Sequence, residues 1–403
     1  MDAAAVARLE AYFAQIGTCL RDKRKRESFA MYAFGIFGEG ERKSAEPIAA
    51  RACGDEARAR ATHSKLLHFL GRASWDDHAV RRTATRYAIA AMSAREPITT
   101  WVIDDTGFLK QGTHSVGVQR QYTGAAGKIA NCQIGVSLSV ATATEHLPID
   151  FELYLPTCWT EDPVRRKEAK IPDAVVFQSK IDLALRMIER AVRDDMPGEV
   201  VLADADYGKA PLFRDTVRLH GLDYGVGISA TTRVYRLDAG ERRAGEAVEV
   251  QALGTELGAR AFRRITWREG TGSKLSSRFC FRRVKVALED GLAPGAHAPE
   301  WLLMEWPDGE KEPTKFFLTS LPRRMSKKAI VRLIKERWRT ERVYEEMKGE
   351  FGLDHFEGRT FPGWHHHVSV VLCCFAFVVA ERVQHFPPSA GRSRADGAVG
   401  LAA

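Results

Sequence analysis

Five glutamates lie among basic residues in the segment KERWRTERVYEEMKGEFG (335–352). On an α-helix with 3.6 residues per turn, Arg337, Glu341, Tyr344 and Lys348 fall on one stripe. Ile334 and other apolar residues occupy the same side one turn earlier, so this stripe is predicted to point inward. A buried carboxylate is costly unless it is paired or binds a metal ion. The spacing singles out Glu341, and a partly buried Arg–Glu–Lys ion network is the alternative interpretation.

Two pairs of aspartates follow apolar, strand-like segments. Asp104 and Asp105 end the β-branched run in WVIDDTG, and Asp204 and Asp206 end the run in VVLADADYG. Carboxylates at the ends of neighbouring strands converge at one edge of an open α/β sheet, where ligands commonly bind. Mg²⁺ is bound by carboxylate oxygens together with water and substrate phosphate. The two pairs predict a metal site, although acids that only form turns explain either pair alone equally well.

The overall charge favours a polyanionic partner. The 403-residue chain carries 60 Lys and Arg against 52 Asp and Glu, a formal net charge of +8. Residues 323–342 alone contain nine basic residues and two glutamates. The seven cysteines form no CxxC motif and the N-terminus lacks a signal-peptide pattern, which favours a reducing cytoplasm. The apolar run 368–380 is too short to span a bilayer and is predicted to be a buried helix.

The pattern of the chain changes at Pro97. Residues 1–95 have helical periodicity with basic stretches, and Ser74 is a candidate N-cap for the last helix of this region. After Pro97 we expect the order β-β-β-α-β-α-β of a mixed α/β sheet. The expected strands are 98–104, 129–142, 147–156, 199–208 and 223–229, and the expected helices are 173–194 and 210–219.

A second strand-rich region precedes the C-terminal helices. Short strand-like segments separated by turn residues, EAVEVQAL among them, predict a β-rich insertion. One helix is expected from the N-cap Ser326 to about Glu350, and another from about Pro362 to Gln384. The predicted domain boundaries are 1–95, 96–228, 229–322 and 323–384, with a disordered tail at 385–403.

Taken together, these residues resemble the DDE transposases of bacterial insertion sequences. The segments DDTGFLKQGTHSVGVQRQYTG, ADADYG and GRTFPGWHHHV resemble one subgroup, the DDE superfamily endonucleases, and the resemblance covers roughly residues 98–382. The signature helix of the family has the pattern Tyr-x2-Arg-x3-Glu-x6-Lys. Arg337, Glu341 and Lys348 match this spacing, whereas Ile334 stands at the tyrosine position and Tyr344 is a candidate replacement.

The resemblance implies an α/β fold: an RNase H-like mixed sheet with a β-rich insertion before the last catalytic helix, plus an N-terminal helical domain. It implies that Asp105, Asp204 and Glu341 are catalytic and hold two Mg²⁺ ions, for which Mn²⁺ can substitute. One ion would activate the attacking water or 3′-OH, and the other would stabilise the leaving oxygen. The candidate DNA-binding residues are Arg337, Lys348, Lys110, Arg120 and Arg339.

The implied function is that of an insertion-sequence transposase, which cleaves DNA at the element ends and transfers the strand into target DNA. The expected partners are the terminal inverted repeats, bound by the N-terminal helices, the target DNA, and a second copy of the chain in a homodimer. A cytoplasmic, nucleoid-associated protein with no membrane role is expected. One alternative is a domesticated or decayed transposase-derived protein that binds DNA without cutting it. Another is a carboxylate-pair glycosidase, which gives no reason for the basic helix.

Two further motifs could bind ligands. The histidines at 365–367 suggest a metal site, but neighbouring helical positions point about 100° apart, so a structural or DNA-facing role is favoured. Some relatives use an aromatic residue of the insertion to stack on a flipped base. The candidates for that role are Trp267, Trp301 and Trp306, and core packing is the alternative for each.

Overall fold

The computed structural model describes residues 3–269, 274–287 and 298–386. Residues 387–403, most of the tail predicted to be disordered, lie outside this description. The described residues belong to two compact units. The first unit takes its residues from 1–98, 104–187 and 340–395, and the second from 99–103 and 188–339.

Helices make up the N-terminal part of the first unit, as predicted. They are α1 (Ala3–Gly17), α2 (Lys23–Phe37), α3 (Ala45–Ala52), α4 (Glu56–Gly71) and α5 (Asp77–Arg95). The side chain of Asp76 caps α5 by accepting a hydrogen bond of 2.9 Å from the Ala79 N–H. The prediction of Ser74 as the N-cap is wrong, because the carboxylate immediately before the first helical residue takes that role.

The first unit also contains an antiparallel arrangement of strands. Strand β3 pairs antiparallel with β2 and with β4, and β1 lies beside β3. Two short helices then lead to α8. The bounds are β1 (Thr100–Leu109), β2 (Gln119–Thr123), β3 (Lys128–Ala141), β4 (His146–Tyr154), α6 (Thr157–Thr160), α7 (Pro163–Ala169) and α8 (Lys180–Arg193).

Helix α8 begins at Lys180, seven residues later than the predicted start at 173. Ser179 and Asp182 form a reciprocal cap at this point. The Ser179 N–H donates to Asp182 Oδ2 at 2.8 Å, and the Asp182 N–H donates to Ser179 Oγ at 3.2 Å. Because this capping box satisfies the first free N–H groups of the helix, it fixes the start of α8.

The second unit is built around parallel strands. The antiparallel strands of the insertion extend the sheet that these strands form. Residues Thr100–Val102 of β1 pair in parallel with Val200–Leu202 of β5, and β5 pairs in parallel with β6. The elements are β5 (Val200–Ala203), α9 (Ala205–Gly208), α10 (Pro211–Leu219), β6 (Asp223–Ile228), β7 (Arg233–Leu237), β8 (Arg243–Glu249), α11 (Val250–Leu257), β9 (Arg263–Glu269), β10 (Lys274–Val286), β11 (Glu300–Trp306), β12 (Lys315–Thr319) and α12 (Lys327–Lys335).

The strands of the predicted insertion continue the sheet of the second unit. Strand β12 pairs antiparallel with β6, and β11, β10, β7 and β8 follow in that order, with β9 also paired to β10. The segment EAVEVQAL is half strand and half helix, because β8 ends at Glu249 and α11 begins at Val250. The strand pairing confirms the predicted mixed α/β fold with its β-rich segment and helical N-terminal region. The predicted order of elements lacked strand β2, which lies in the segment expected to separate two strands.

The C-terminal helices are α13 (Trp338–Phe351) and α14 (Phe361–His385). Helix α14 is the helix among the described residues that is long and apolar enough to cross a membrane, yet 89% of its most apolar window is buried inside the protein. It also makes specific polar contacts with α1, since the Tyr12 hydroxyl donates to the Cys373 carbonyl at 2.8 Å. The prediction of a buried core helix is confirmed.

Candidate carboxylate site

Strand β1 carries two adjacent aspartates in its middle and not at its end, so the predicted strand end at Asp104 is wrong. The strand continues because it stays beside β3 up to Lys110, whose N–H donates to the Asn131 carbonyl at 2.9 Å. Asp104 is 7% exposed, whereas the side chain of Asp105 is 21% exposed. Because successive side chains of a strand point to opposite faces, the two carboxylates face different sides of the sheet.

The side chain of Lys180 contacts Asp105. Lys180 Nζ lies 2.9 Å from Asp105 Oδ2, the distance of a charge-assisted hydrogen bond. Lys180 is the first residue of α8, so the cap made by Ser179 and Asp182 positions its backbone. The partners are 75 positions apart in the chain, so no spacing rule in the sequence predicts this contact.

Lys348 of the predicted signature contacts the same strand. Its ammonium group donates to Thr106 Oγ1 and to the Gly107 carbonyl, both at 2.8 Å, and lies 5.4 Å from the centre of the Phe108 ring. Burial lowers the pKa of Lys348, and the nearby carboxylate of Asp354 opposes that shift. The residue predicted to contact DNA phosphate therefore ties α13 to β1 just beyond Asp105.

Glu341 is exposed and does not face inward, so the predicted orientation of this residue is wrong, whereas Tyr344 of the same stripe is buried. The expected continuous helix is divided into α12 and α13 by a turn at Glu336 and Arg337, and Glu341 lies in the first turn of α13. An acidic side chain is favourable at that position because it interacts with the positive end of the helix dipole. The buried face of α13 is formed by Thr340, Val343, Tyr344, Met347 and Phe351.

Tyr344 and Ile334 occupy different hydrophobic environments. The hydroxyl groups of Tyr344 and of Ser137 on β3 are 2.6 Å apart in the interior of the first unit. Ile334 is 5% exposed and belongs to the core cluster of the second unit with Val102 and Leu202. A Cβ added at Gly225 would lie 3.0 Å from Ile334 Cγ1, so this side chain fills the space close to β6. Ile334, at the signature tyrosine position, is a packed core residue.

Asp204 caps the short helix that follows β5. Its Oδ1 accepts a hydrogen bond of 2.9 Å from the Asp206 N–H. The predicted N-cap of α12 is also confirmed, because Ser326 Oγ accepts a hydrogen bond from the Ala329 N–H. Gly208 lets α9 approach β6 closely, because a Cβ there would lie 2.0 Å from the Gly227 carbonyl oxygen. This close approach holds the segment after Asp204 against the sheet. Asp206 is exposed and forms a 2.9 Å ion pair with Lys209.

The other candidate DNA-binding residues differ in their environment. Lys110 donates to the carbonyls of Asp354 and Phe356, at 3.2 and 2.7 Å, and burial lowers its pKa. Arg120 is exposed on β2. Arg339 forms a 3.1 Å ion pair with Glu336, and Arg337 lies half-buried in the turn between α12 and α13.

The three tryptophans of the insertion are half-buried, and each contacts neighbouring side chains or backbone of the second unit. Trp267 packs edge to face on Phe279, at 5.7 Å between ring centres. The Trp306 indole N–H donates to the Glu310 carbonyl at 2.9 Å. The guanidinium of Arg283 lies 5.2 Å from the centre of the Trp301 ring. These contacts favour core packing over a role in base stacking.

Comparison with known proteins identifies the class. Residues 15–274, well over half of the chain, match the family model described as DDE superfamily endonuclease, and residues 174–377 match the model described as Transposase DDE domain. The chain belongs to the DDE superfamily endonuclease family.

Two individual proteins are similar to parts of the chain. The chain is 26% identical over 189 residues to the probable transposase for insertion sequence element IS701 of Microchaete diplosiphon. That match covers 47% of this chain and 45% of the relative, so the chain spans about half the length of the curated relative it matches. In a solved structure, the cryo-EM piggyBac transposase synaptic complex with hairpin DNA, the similar chain is 10% identical with a TM-score of 0.45. The structural match covers 90% of this chain and 66% of the piggyBac transposase chain.

Proposed function

We propose that this protein is an insertion-sequence transposase that cleaves DNA at element ends and joins the strand to target DNA by metal-dependent phosphoryl transfer. Family membership supports the class of reaction. The observation that carries the proposal for this chain lies within the first unit. Lys348 hydrogen-bonds Thr106 and Gly107, and so connects the helix that bears Glu341 with the strand that bears Asp105.

Asp204 is proposed as the third carboxylate of the set. It lies two residues after Leu202, which pairs in parallel with Val102 of β1. The aspartate pair of β1 begins two residues after Val102. Counted from the paired residues Val102 and Leu202, Asp204 corresponds to Asp104, and Asp105 is one residue further along β1. The assignment of Asp204 together with Asp105 therefore rests on family membership and not on the register.

The donor set fits a hard divalent cation. Asp105, Asp204 and Glu341 offer only carboxylate oxygens, the ligands that Mg²⁺ and Mn²⁺ take together with water and phosphate. The environment of Asp105 already accommodates positive charge, since the Lys180 ammonium lies 2.9 Å from its Oδ2. When bound, such ions would neutralise the phosphate charge and activate the attacking hydroxyl group. We propose that the two aspartates and Glu341 hold these ions.

The remaining side chains of the site would position the carboxylates and the DNA. Lys180 orients Asp105, and Lys348 fixes the distance between α13 and β1. The exposed position of Glu341 leaves its carboxylate accessible from solvent, as a group that meets a bound DNA strand must be. Arg120 is exposed and can contact a phosphate, with Arg337 and Arg339 proposed for the same role.

DNA-end recognition is assigned to the N-terminal helices. Exposed basic residues cluster at the start of α2, which suits binding to the phosphate backbone. We propose that this region binds the terminal inverted repeats and that two copies of the chain pair two element ends. The basic residues of the cluster are Arg21, Lys23, Arg24 and Arg26.

The proposal is tested by cleavage of labelled DNA that carries the ends of the element, with Mg²⁺ or with EDTA. The variants Asp105→Asn, Asp204→Asn and Glu341→Gln are each expected to lower the cleavage rate by more than about 10³-fold while DNA binding persists. Cleavage that persists in EDTA contradicts the metal dependence. A variant that keeps its rate removes that residue from the proposed set.

Two variants serve as matched controls. Glu345→Gln changes an exposed glutamate one turn after Glu341 on the same helix, and Asp206→Asn changes the exposed neighbour of Asp204. Both controls carry the same chemical change as the test variants and are expected to keep wild-type cleavage. An equal loss in Glu345→Gln and Glu341→Gln would show that the charge of α13, and not one carboxylate, matters for the reaction.

A further inference from the structure

The hairpin of β2 and β3 carries apolar side chains that are exposed to solvent. Tyr122 and Ile129 lie directly opposite each other in the strand register, and they are 65% and 60% exposed. Opposite residues of an antiparallel pair have Cβ atoms about 5 Å apart, so the two side chains form one continuous patch. Single exposed apolar residues are common on protein surfaces, whereas a continuous patch on a two-stranded ribbon is typical of a contact surface.

The turn of the hairpin is narrow and hydrogen-bonded. The Ala126 N–H donates to the Thr123 carbonyl at 3.2 Å, and the Gly127 N–H donates to the Gly124 carbonyl at 3.1 Å. Gly127 has a φ of 62°, a left-handed conformation that favours glycine. Residues 124–127 are Gly, Ala, Ala and Gly, so the tip consists almost entirely of backbone. A tip of this size can approach a second molecule closely.

The hairpin is anchored on the face of β1 that carries Asp105. Thr123 is 2% exposed, and its Oγ1 lies 2.0 Å from the position that a Cβ on Gly107 would occupy. Glycine at position 107 is therefore required for this close approach. Gly107 is two residues after Asp105 on β1, so both positions point to the same face of the strand. The tip of the hairpin is held beside the strand segment that bears the candidate catalytic aspartate.

The charge of the hairpin favours a polyanionic partner. The segment from residue 106 to residue 144, which contains the whole hairpin, has no Asp or Glu. Arg120 is two residues from Tyr122 and shares its face of β2, and Lys128 directly precedes Ile129 on β3. Both basic side chains are exposed, and neither forms an ion pair with a residue that the structure describes. The apolar patch is therefore flanked by cations that are available to a partner.

We propose that the β2–β3 hairpin is a surface that binds the DNA substrate, an inference that rests on the function proposed above. Arg120 and Lys128 contact phosphates, and Tyr122 and Ile129 contact sugars and bases of the same duplex. A two-stranded β-ribbon fits a groove of DNA, and apolar side chains that enter a groove add to the affinity. A symmetric contact between two copies of the chain would instead bring the cations of both hairpins together, so DNA is the favoured occupant.

The proposal is tested by DNA titrations of the full chain in EDTA, with a labelled duplex that carries one element end as the probe. Tyr122→Thr combined with Ile129→Thr removes the apolar patch and keeps residues that favour strands. This double variant is expected to bind the duplex about tenfold or more weakly, with an unchanged dependence on salt. Arg120→Gln and Lys128→Gln should each reduce the slope of log affinity against log salt by about one.

Matched controls separate the patch from general surface effects. Tyr122→Phe keeps the aromatic ring and should bind the duplex like the wild type. Leu219→Ser changes a leucine that is 83% exposed on α10, and it should also leave the affinity unchanged. The photoreactive residue p-benzoylphenylalanine should crosslink to the labelled DNA from position 122 and not from position 219. Circular dichroism establishes that each variant is folded.

The outcomes distinguish this inference from the proposed function. A double variant that binds DNA like the wild type, while the wild type cleaves element ends, would overturn the role of the hairpin and leave the proposed function intact. A wild-type chain that crosslinks to DNA from position 122 but does not cleave it would contradict the proposed function alone. Loss of dimer formation in the double variant with unchanged DNA affinity, measured by light scattering, would assign the patch to a contact between copies and overturn the proposal.

Discussion

Lys348 Nζ donates a hydrogen bond of 2.8 Å to Thr106 Oγ1, one residue beyond Asp105 on β1. Lys348, which the family pattern associates with DNA, therefore contacts residues of its own chain. The ammonium group donates a second hydrogen bond of 2.8 Å to the Gly107 carbonyl, so it has two acceptors on β1. The contact fixes the last turn of α13 relative to the strand that carries Asp105, and Glu341 lies about two turns earlier on the same helix.

Replacing this lysine distinguishes a positioning role from a phosphate contact. Lys348→Met keeps the length of the side chain and removes both hydrogen bonds, so we expect a loss of about 1–3 kcal/mol in the free energy of unfolding and slower cleavage. DNA affinity and its dependence on salt should stay unchanged. A salt slope reduced by about one unit would instead show that Lys348 binds a phosphate. Chemical denaturation and DNA titrations at several salt concentrations provide the measurements.

The two adjacent aspartates of β1 are expected to differ in function. Asp105→Asn should abolish cleavage, whereas Asp104→Asn should act mainly on stability, because Asp104 is 7% exposed and its Oδ1 accepts from the Asp105 N–H. Because side chains alternate along a strand, Asp104 lies on the same face of β1 as Val102 and opposite to Asp105. Asp104→Asn is therefore the control for Asp105→Asn. Cleavage rates and melting temperatures of both variants decide the assignment. Retained cleavage in Asp105→Asn with loss in Asp104→Asn would transfer the catalytic role to Asp104.

Ile334 should not tolerate the tyrosine of the family pattern. Its side chain is 5% exposed and fills the space next to Gly225, so Ile334→Tyr is expected to overpack this core and destabilise the protein by about 1–3 kcal/mol. Ile334→Val leaves the same site slightly underfilled and should cost only about 0.5–1.5 kcal/mol. Denaturant melts measure both effects. A stable, more active Ile334→Tyr protein would contradict the packing argument.

His367 is expected to make the fold sensitive to acid. Burial lowers its pKa to about 3, although the carbonyls of Leu353 and Gly352 oppose the shift. Its Nε2–H faces these carbonyls, while Nδ1 accepts from the Tyr32 hydroxyl at 2.9 Å, so the neutral ring is fully hydrogen-bonded. The folded pKa lies below the unfolded value of about 6.5, so the unfolded chain binds the extra proton first.

The free energy of unfolding should therefore fall as the pH drops from about 6.5 towards 3. His367→Gln retains a donor and an acceptor but does not titrate, so its stability should depend less on pH over this interval. Thermal melts at half-unit steps of pH compare the two proteins. Parallel curves would mean that other groups, such as His366, whose pKa burial also lowers, cause the acid sensitivity.

Much of the fold could be predicted from the sequence because it depends on local patterns. The β-branched runs became β1 and β5, the helical N-terminal region formed as expected, and Ser326 caps α12. The errors occurred where local signals compete. Residues 173–179 have helical composition, yet the cap at Ser179 delays α8. The segment 335–352 reads as one helix but contains a turn at Glu336 and Arg337.

The sequence by itself determined the types and order of the acids: Asp105 on an early strand, Asp204 after a later one, Glu341 on a basic helix. Composition and periodicity suffice for this, because they depend on residues near each other in the chain. Only the tertiary structure decided that Lys180 binds Asp105, that Lys348 binds Thr106, and that Glu341 is exposed. These contacts join residues 75 and 242 positions apart, and they form because burial forces each polar group to find a partner.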